Sequence, residues 1–176
     1  MTALLALAPT LDTDRLTLTA PTTDDLSAYV AFYGRDERTL SYPGGLTPEE
    51  AAAVLDADID AWRTKGFGIW LIRRRGEDEV VGAAGLAHED GWPCAELTWW
   101  LFPEARGAGY AAEASRAVVA FAYDALGWDR VETYMRDENG PARRLAERLG
   151  GKVDRRIAFP DGHDRDVYLI PPAGRP

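Results

Sequence analysis

The chain has 176 residues, 46% of them apolar and 28% charged, with a net charge of −9; this suits one soluble domain with a sizeable core. It argues against a nucleic-acid binder, which needs a cationic face to displace counterions from phosphates. The single cysteine, Cys94, excludes an internal disulfide, one cysteine with His88 and His163 argues against a structural zinc site, and no apolar run is long enough to span a membrane, so a cytoplasmic protein is expected.

Residues 1–10 read as a loose N-terminal tail to a single domain spanning 1–176. "DRLTLTA" (Asp14 to Ala20) alternates and is rich in threonine, which predicts a strand. Thr22, Thr23 or Asp24 caps a helix expected to bury Leu26, Tyr29, Val30 and Tyr33, with Gly34 as its stop. "YPGG" (Tyr42 to Gly45) is a turn. Thr47-Pro48-Glu49-Glu50 is a capping box with proline at the first helical position. Its helix aligns Ala51, Val54, Leu55, Ile59 and Trp62, and Gly66 ends it.

Gly66–Arg75 and Glu79–Ala87 read as an antiparallel hairpin of two strands. The loop "HEDGWPC" leads to a further strand, Ala95–Phe102, stopped by Pro103. "FPEARGAGYAAEA" then opens a helix that runs to about Leu126, with Gly127 past its end. Arg130–Met135 is another strand. A short helix follows with Pro141 near its start, a stripe of Ala142, Leu145, Ala146 and Leu149, and Gly150 at its end. The tail forms a last hairpin around "PDG". The order is β α α β β β α β α β β, a mixed α/β domain in which a meander precedes the glycine loop and a βαβ crossover contains it.

Gly107-Ala108-Gly109-Tyr110-Ala111-Ala112 permits three readings. It matches a dinucleotide fingerprint, GxGxxG/A. That reading suffers because a meander precedes it, Pro-Glu-Ala-Arg separates it from its strand, and only one βαβ unit follows. It also suits a tight strand-to-helix turn that needs small residues for packing. The third reading is an acyl-CoA loop: small residues let successive backbone N–H groups converge on a pyrophosphate at the positive end of the next helix, with Arg106 adding charge or orienting the loop.

Arg106-Gly107-Ala108-Gly109-Tyr110-Ala111 has the form R/Q-x-x-G-x-G/A, and here the chain resembles the GNAT superfamily of N-acetyltransferases. "PEARGAGYAAEA", "DTDRLTLTAPTTDDL", "AELTWWLFPE" and "NGPARRLAERLGG" are similar to the branch that acetylates the N-termini of ribosomal proteins (RimJ/RimL-like). The resemblance runs from about Asp12 to Tyr168. It implies a mostly antiparallel central sheet with splayed fourth and fifth strands and flanking helices. It also implies acetyl-CoA as the acyl donor, and a primary amine as acceptor, a protein N-terminus or a small molecule. Dimers are common in that branch.

Carried over by position, the backbone of Trp99, Trp100 and Leu101 pairs with the pantetheine arm as with an added strand. Gly107 through Ala112 hold the pyrophosphate, and Asn139 bonds the pantetheine; Asn139 also suits a turn or helix cap. Glu96 matches a glutamate common in the branch and is taken as the general base, with an exposed strand carboxylate as the plainer alternative. His88 is a second candidate base or a solvated loop residue. The tyrosine that protonates the departing thiolate in many GNATs is here Ala146, and the branch's serine is Ala142; water or Tyr134 on the neighbouring strand is left to serve. That gap leaves open a non-catalytic acyl-CoA-binding module. Cys94 has no evident histidine partner, so direct attack is expected rather than an acyl-enzyme.

Overall fold

The computed structural model describes residues 8–35 and 44–173. A short antiparallel pair, β1 (Leu11–Asp12) and β2 (Leu16–Thr19), opens the chain. The expected strand Asp14–Ala20 is therefore the second, because Thr13 turns the chain: its hydroxyl accepts the Leu16 amide at 3.0 Å. Of the expected tail, residues 1–7 lie outside the described residues, and the Pro9 carbonyl accepts the Trp70 indole at 2.7 Å.

Helix α1 (Leu26–Tyr33) is rotated from the expected face. Tyr29, Phe32 and Tyr33 are buried, while Leu26 is 40% exposed. Aromatic rings bury more area than Leu or Val, so they set the rotation. Helix α2 (Pro48–Lys65) has its capping box: the Glu50 amide donates to Thr47 Oγ1 at 3.2 Å, and the Thr47 amide donates to Glu50 Oε2 at 2.8 Å. Tyr42 and Pro43 of the expected turn lie outside the described residues.

Strands β3 (Ile69–Arg74), β4 (Val80–Ala87) and β5 (Glu96–Leu101) continue one antiparallel sheet of order β1-β2-β3-β4-β5. Ile69 to Ile72 are all buried because both faces are covered, and their continuous apolar run follows from that. Helix α3 (Tyr110–Asp124) covers one face, packing Ala114, Val118 and Ala122 with Trp70, Ile72 and Leu97. Helices α1 and α2 cover the other, packing Tyr29, Phe32 and Leu55 with Leu71, Ala83 and Trp100.

Strand β6 (Val131–Tyr134) joins a second sheet of order β6-β8-β7, with β7 (Lys152–Ala158) and β8 (Asp164–Ile170) as the expected tail hairpin. Helix α4 (Gly140–Arg148) lies between β6 and β7 in sequence and buries Leu145 and Ala146. The expected fourth and fifth strands are thus β5 and β6, and they belong to separate sheets. Among the described residues no helix is long and apolar enough to cross a membrane.

Candidate active site

Strands β5 and β6 are bridged by a side chain: the Thr133 hydroxyl donates to the Leu97 carbonyl at 2.8 Å. On an antiparallel strand, one residue's N–H and C=O face the same neighbour and the next residue's face away. The Phe102 amide donates to the Val81 carbonyl, on the β4 side. Alternation therefore turns the backbone of Glu96, Thr98 and Trp100 toward β4, and that of Leu97, Trp99 and Leu101 toward β6. Thr133 occupies the Leu97 carbonyl, and Arg106 Nε donates to the Leu101 carbonyl at 3.3 Å. Trp99 lies between them with its backbone facing the gap. Its side chain packs on the α3 side, whereas Trp100 stacks on Phe32 below α1, with centroids 3.8 Å apart.

Past β5, a 3-10 turn (Pro103–Ala105) leads through Arg106 to the glycine loop. Gly107 and Gly109 each have φ near +83°, a conformation that costs other residues roughly 1–2 kcal/mol. A Cβ at Gly107 would meet nothing within 4 Å, so glycine serves the backbone there and open space lies beside it. Gly109 precedes α3 without a side-chain cap. The amides of Tyr110, Ala111 and Ala112 thus begin a helix, where N–H groups lack intrahelical acceptors and the dipole is positive. That arrangement fits an anionic phosphate. Ala112 itself is buried.

The loop is clamped from one side. Arg15 Nη1 donates to the Ala108 carbonyl at 2.9 Å. The Glu113 carboxylate accepts the Thr13 hydroxyl at 2.6 Å, the Arg15 amide at 2.9 Å and Arg15 Nε at 2.7 Å. Partial burial pushes the Glu113 carboxyl up, but these bonds outweigh it and hold it below its usual range. The Tyr110 ring receives the guanidinium of Arg15 at 4.9 Å and that of Arg74 at 5.8 Å.

Glu96 starts β5, on the face it shares with Thr98 and Trp100. Tyr134, at the end of β6, lies close enough to act on its carboxyl. Burial pushes the Glu96 carboxyl up to about 8, helped by Glu89 and opposed by Tyr134 and Arg165. Burial also raises the Tyr134 phenol above its ordinary value. Trp92 stacks on Tyr134 at 5.7 Å, and Phe159 packs against it at 4.4 Å. The Arg165 guanidinium lies 4.7 Å from the Phe159 ring and 5.4 Å from that of Trp92. Asp161 accepts from both its Nη atoms, at 2.8 and 2.5 Å. The aromatic seat beside Glu96 is filled by the chain's own cation.

Cys94 packs near Tyr134, and burial with the adjacent Glu132 pushes its thiol up to about 12. Asn139 caps α4, its Oδ1 accepting the Ala142 amide at 3.2 Å. His88 is exposed, with Nε2 3.0 Å from the Trp92 carbonyl. Ala146 is fully buried, so α4 offers no acid there. The structure thus brings Glu96 and Tyr134 together, and sets them at the end of β5 away from the glycine loop, roughly 20 Å off along the strand. Sequence reasoning did not pick out Trp92, Asp161 or Arg165. A lone tryptophan in the polar loop "HEDGWPC" was the available signal; Arg165 gave none, since its partners come from fold contacts.

Residues 15–152 match the family described as an acetyltransferase (GNAT) domain. YoaA of Bacillus subtilis (strain 168), described as an uncharacterized N-acetyltransferase, is 30% identical over 172 residues, covering 92% of this chain and 96% of that protein. The crystal structure of an acetyltransferase from Agrobacterium tumefaciens str. C58 superimposes with a TM-score of 0.82 at 32% identity, covering 92% of this chain and 93% of that one. RimL, a ribosomal L7/L12 α-N-protein acetyltransferase solved in complex with coenzyme A, shares the fold (TM-score 0.75, 16% identity, 92% and 97% covered).

Proposed function

The chain belongs to the GNAT acetyltransferase family, and from that premise we propose that it acetylates a primary amine by direct attack, with Glu96 as general base and Tyr134 as proton donor. As a member of that family it is an acyltransferase, with acetyl-CoA as donor. The antiparallel order of the first sheet sets aside the dinucleotide reading of the glycines.

The observation that carries the proposal is the placement of Glu96, at the start of β5, beside Tyr134, at the end of β6, where the two sheets part. Acetyl-CoA supplies the thioester. The amides of Gly107 through Ala112, with Arg106, hold its pyrophosphate. The pantetheine arm lies along the Trp99 and Leu101 backbone, with Asn139 bonding it; Trp100, whose backbone faces β4, keeps the sheet packed. The Trp99 amide faces the gap, where negative charge develops on the acyl oxygen.

As the amine adds to the acyl carbon, the Glu96 carboxylate takes its proton. The carbon–nitrogen bond forms and the carbon–sulfur bond breaks. Tyr134 gives its proton to the departing sulfur and recovers one from Glu96, so the proton lost by nitrogen ends on sulfur. Neutral at ordinary pH, Tyr134 fills the role that buried Ala146 leaves vacant. Cys94, a thiol up to about pH 12, supports attack without an acyl-enzyme.

Calorimetric titration with acetyl-CoA, with NAD as control, tests the donor site. Wild type is expected to bind acetyl-CoA and not NAD, and Gly109→Glu to lose it, because the new carboxylate would repel the pyrophosphate. Binding that survives in Gly109→Glu contradicts the loop assignment.

A further inference from the structure

One side chain crosses the gap where the two sheets part. The Thr133 hydroxyl, on β6, donates to the Leu97 carbonyl, on β5, at 2.8 Å. Thr133 is 2% exposed and Leu97 is fully buried, so the crossing lies in packed interior. It joins strands of separate sheets, which share no ladder. A carbonyl buried this deeply needs a donor. The Leu97 carbonyl faces away from β4, so its own sheet supplies none. Thr133 does, and its side chain stands where an added strand would have to continue along β5.

The gap is bounded at its other end as well, where Arg106 Nε donates to the Leu101 carbonyl at 3.3 Å. Trp99 stands midway, two residues from each of these carbonyls, and turns its backbone into the gap.

The glycine loop sets the direction of a donor. The loop follows Leu101 in the chain, so a pyrophosphate held there points the far end of the pantetheine arm toward Leu97. An acyl oxygen on the Trp99 amide then leaves the acyl tail facing the Thr133 bridge. Two residues of strand span roughly 7 Å, and non-bonded heavy atoms stop about 3.5–4 Å apart, which leaves roughly 3 Å. That is room for one methyl group beyond the acyl carbon, and not for a propyl chain.

We infer that Thr133 is a specificity-determining residue for the acyl donor: its bridge to Leu97 ends the slot and restricts the transferred group to acetyl, against butyryl and longer chains. The inference rests on the donor placement proposed above. The bonds made and broken are the same for every acyl group, and only the fit of the tail differs.

The test is calorimetric titration of wild type, Thr133→Ser and Thr133→Ala with acetyl-, propionyl-, butyryl- and hexanoyl-CoA, with CoA as reference. Thermal unfolding checks that each variant is folded. In wild type, butyryl-CoA should bind about tenfold or more weakly than acetyl-CoA, with propionyl-CoA between them. Thr133→Ala removes the bridge and should cut that ratio to about threefold or less. Thr133→Ser keeps the hydroxyl and should keep most of the discrimination. A purely structural role would shift all four donors alike. Equal affinities along the series in wild type, an unchanged ratio in a folded Thr133→Ala, or a ratio lost in a folded Thr133→Ser overturns this inference alone. Wild type and Thr133→Ser decide it if Thr133→Ala does not fold. No binding of acetyl-CoA by wild type overturns it together with the reading it rests on.

Discussion

Glu96 meets opposing demands: burial holds its carboxyl neutral until about pH 8, yet a base must be charged. Two neighbours pull the value down, the Tyr134 hydroxyl and the Arg165 charge. Removing either leaves burial less opposed, so the carboxyl rises further. Tyr134→Phe should move the acid limb of kcat/KM to higher pH and, by removing the proton donor, lower kcat by about 10²-fold. Arg165→Met should move the same limb upward, and Arg165→Lys should bring it partly back. The check is a rate–pH profile with a weakly basic acceptor, whose own titration lies below the limb. A limb that stays fixed in both variants would mean that neither group acts on Glu96. Glu96 stood out in the sequence through its match to a glutamate common in the resembling branch and its place on a tryptophan-rich strand. Arg165 was not, because its effect arises only when β8 brings it against Trp92 and Phe159.

Among the elements, the glycine loop depends on α3, and α3 on the first hairpin. Glu113 joins them by accepting bonds from Thr13 and Arg15 while Arg15 also reaches the Ala108 carbonyl. Glu113→Ala should leave the Thr13 hydroxyl and the Arg15 amide without this partner and lower stability by about 1–2 kcal/mol. It should also raise the KM for acetyl-CoA, since the loop loses its clamp. Denaturant unfolding with donor kinetics reads both, and an unchanged KM would show that the loop holds its shape unaided. The glycine spacing and the capping box of α2 were readable because each is a local rule about φ or an unpaired amide. The rotation of α1 was not, since Leu26 and Phe32 compete for the core and only the facing ring of Trp100 decides between them.

At the scale of the whole molecule, the proposed reaction site depends on the separation of β5 from β6. That separation leaves the Trp99 backbone turned toward the gap, and it lets Tyr134 reach Glu96 from the other sheet. Strand order and the position of the loop could be read from hydrophobic pattern and turn residues. The β3–β4 and β7–β8 hairpins could be read from their short turns, but the pairing of β6 with β8 could not, because a strand's sequence names no distant partner. The measurement that tests the central claim most directly is the pH dependence of acetyl transfer to a weakly basic amine by wild type and Glu96→Gln. The account predicts that wild-type kcat/KM climbs with pH and levels above about 8, and that Glu96→Gln is flat and lower by about 10²-fold or more. A glutamine variant with the same limb and a rate close to wild type would contradict it.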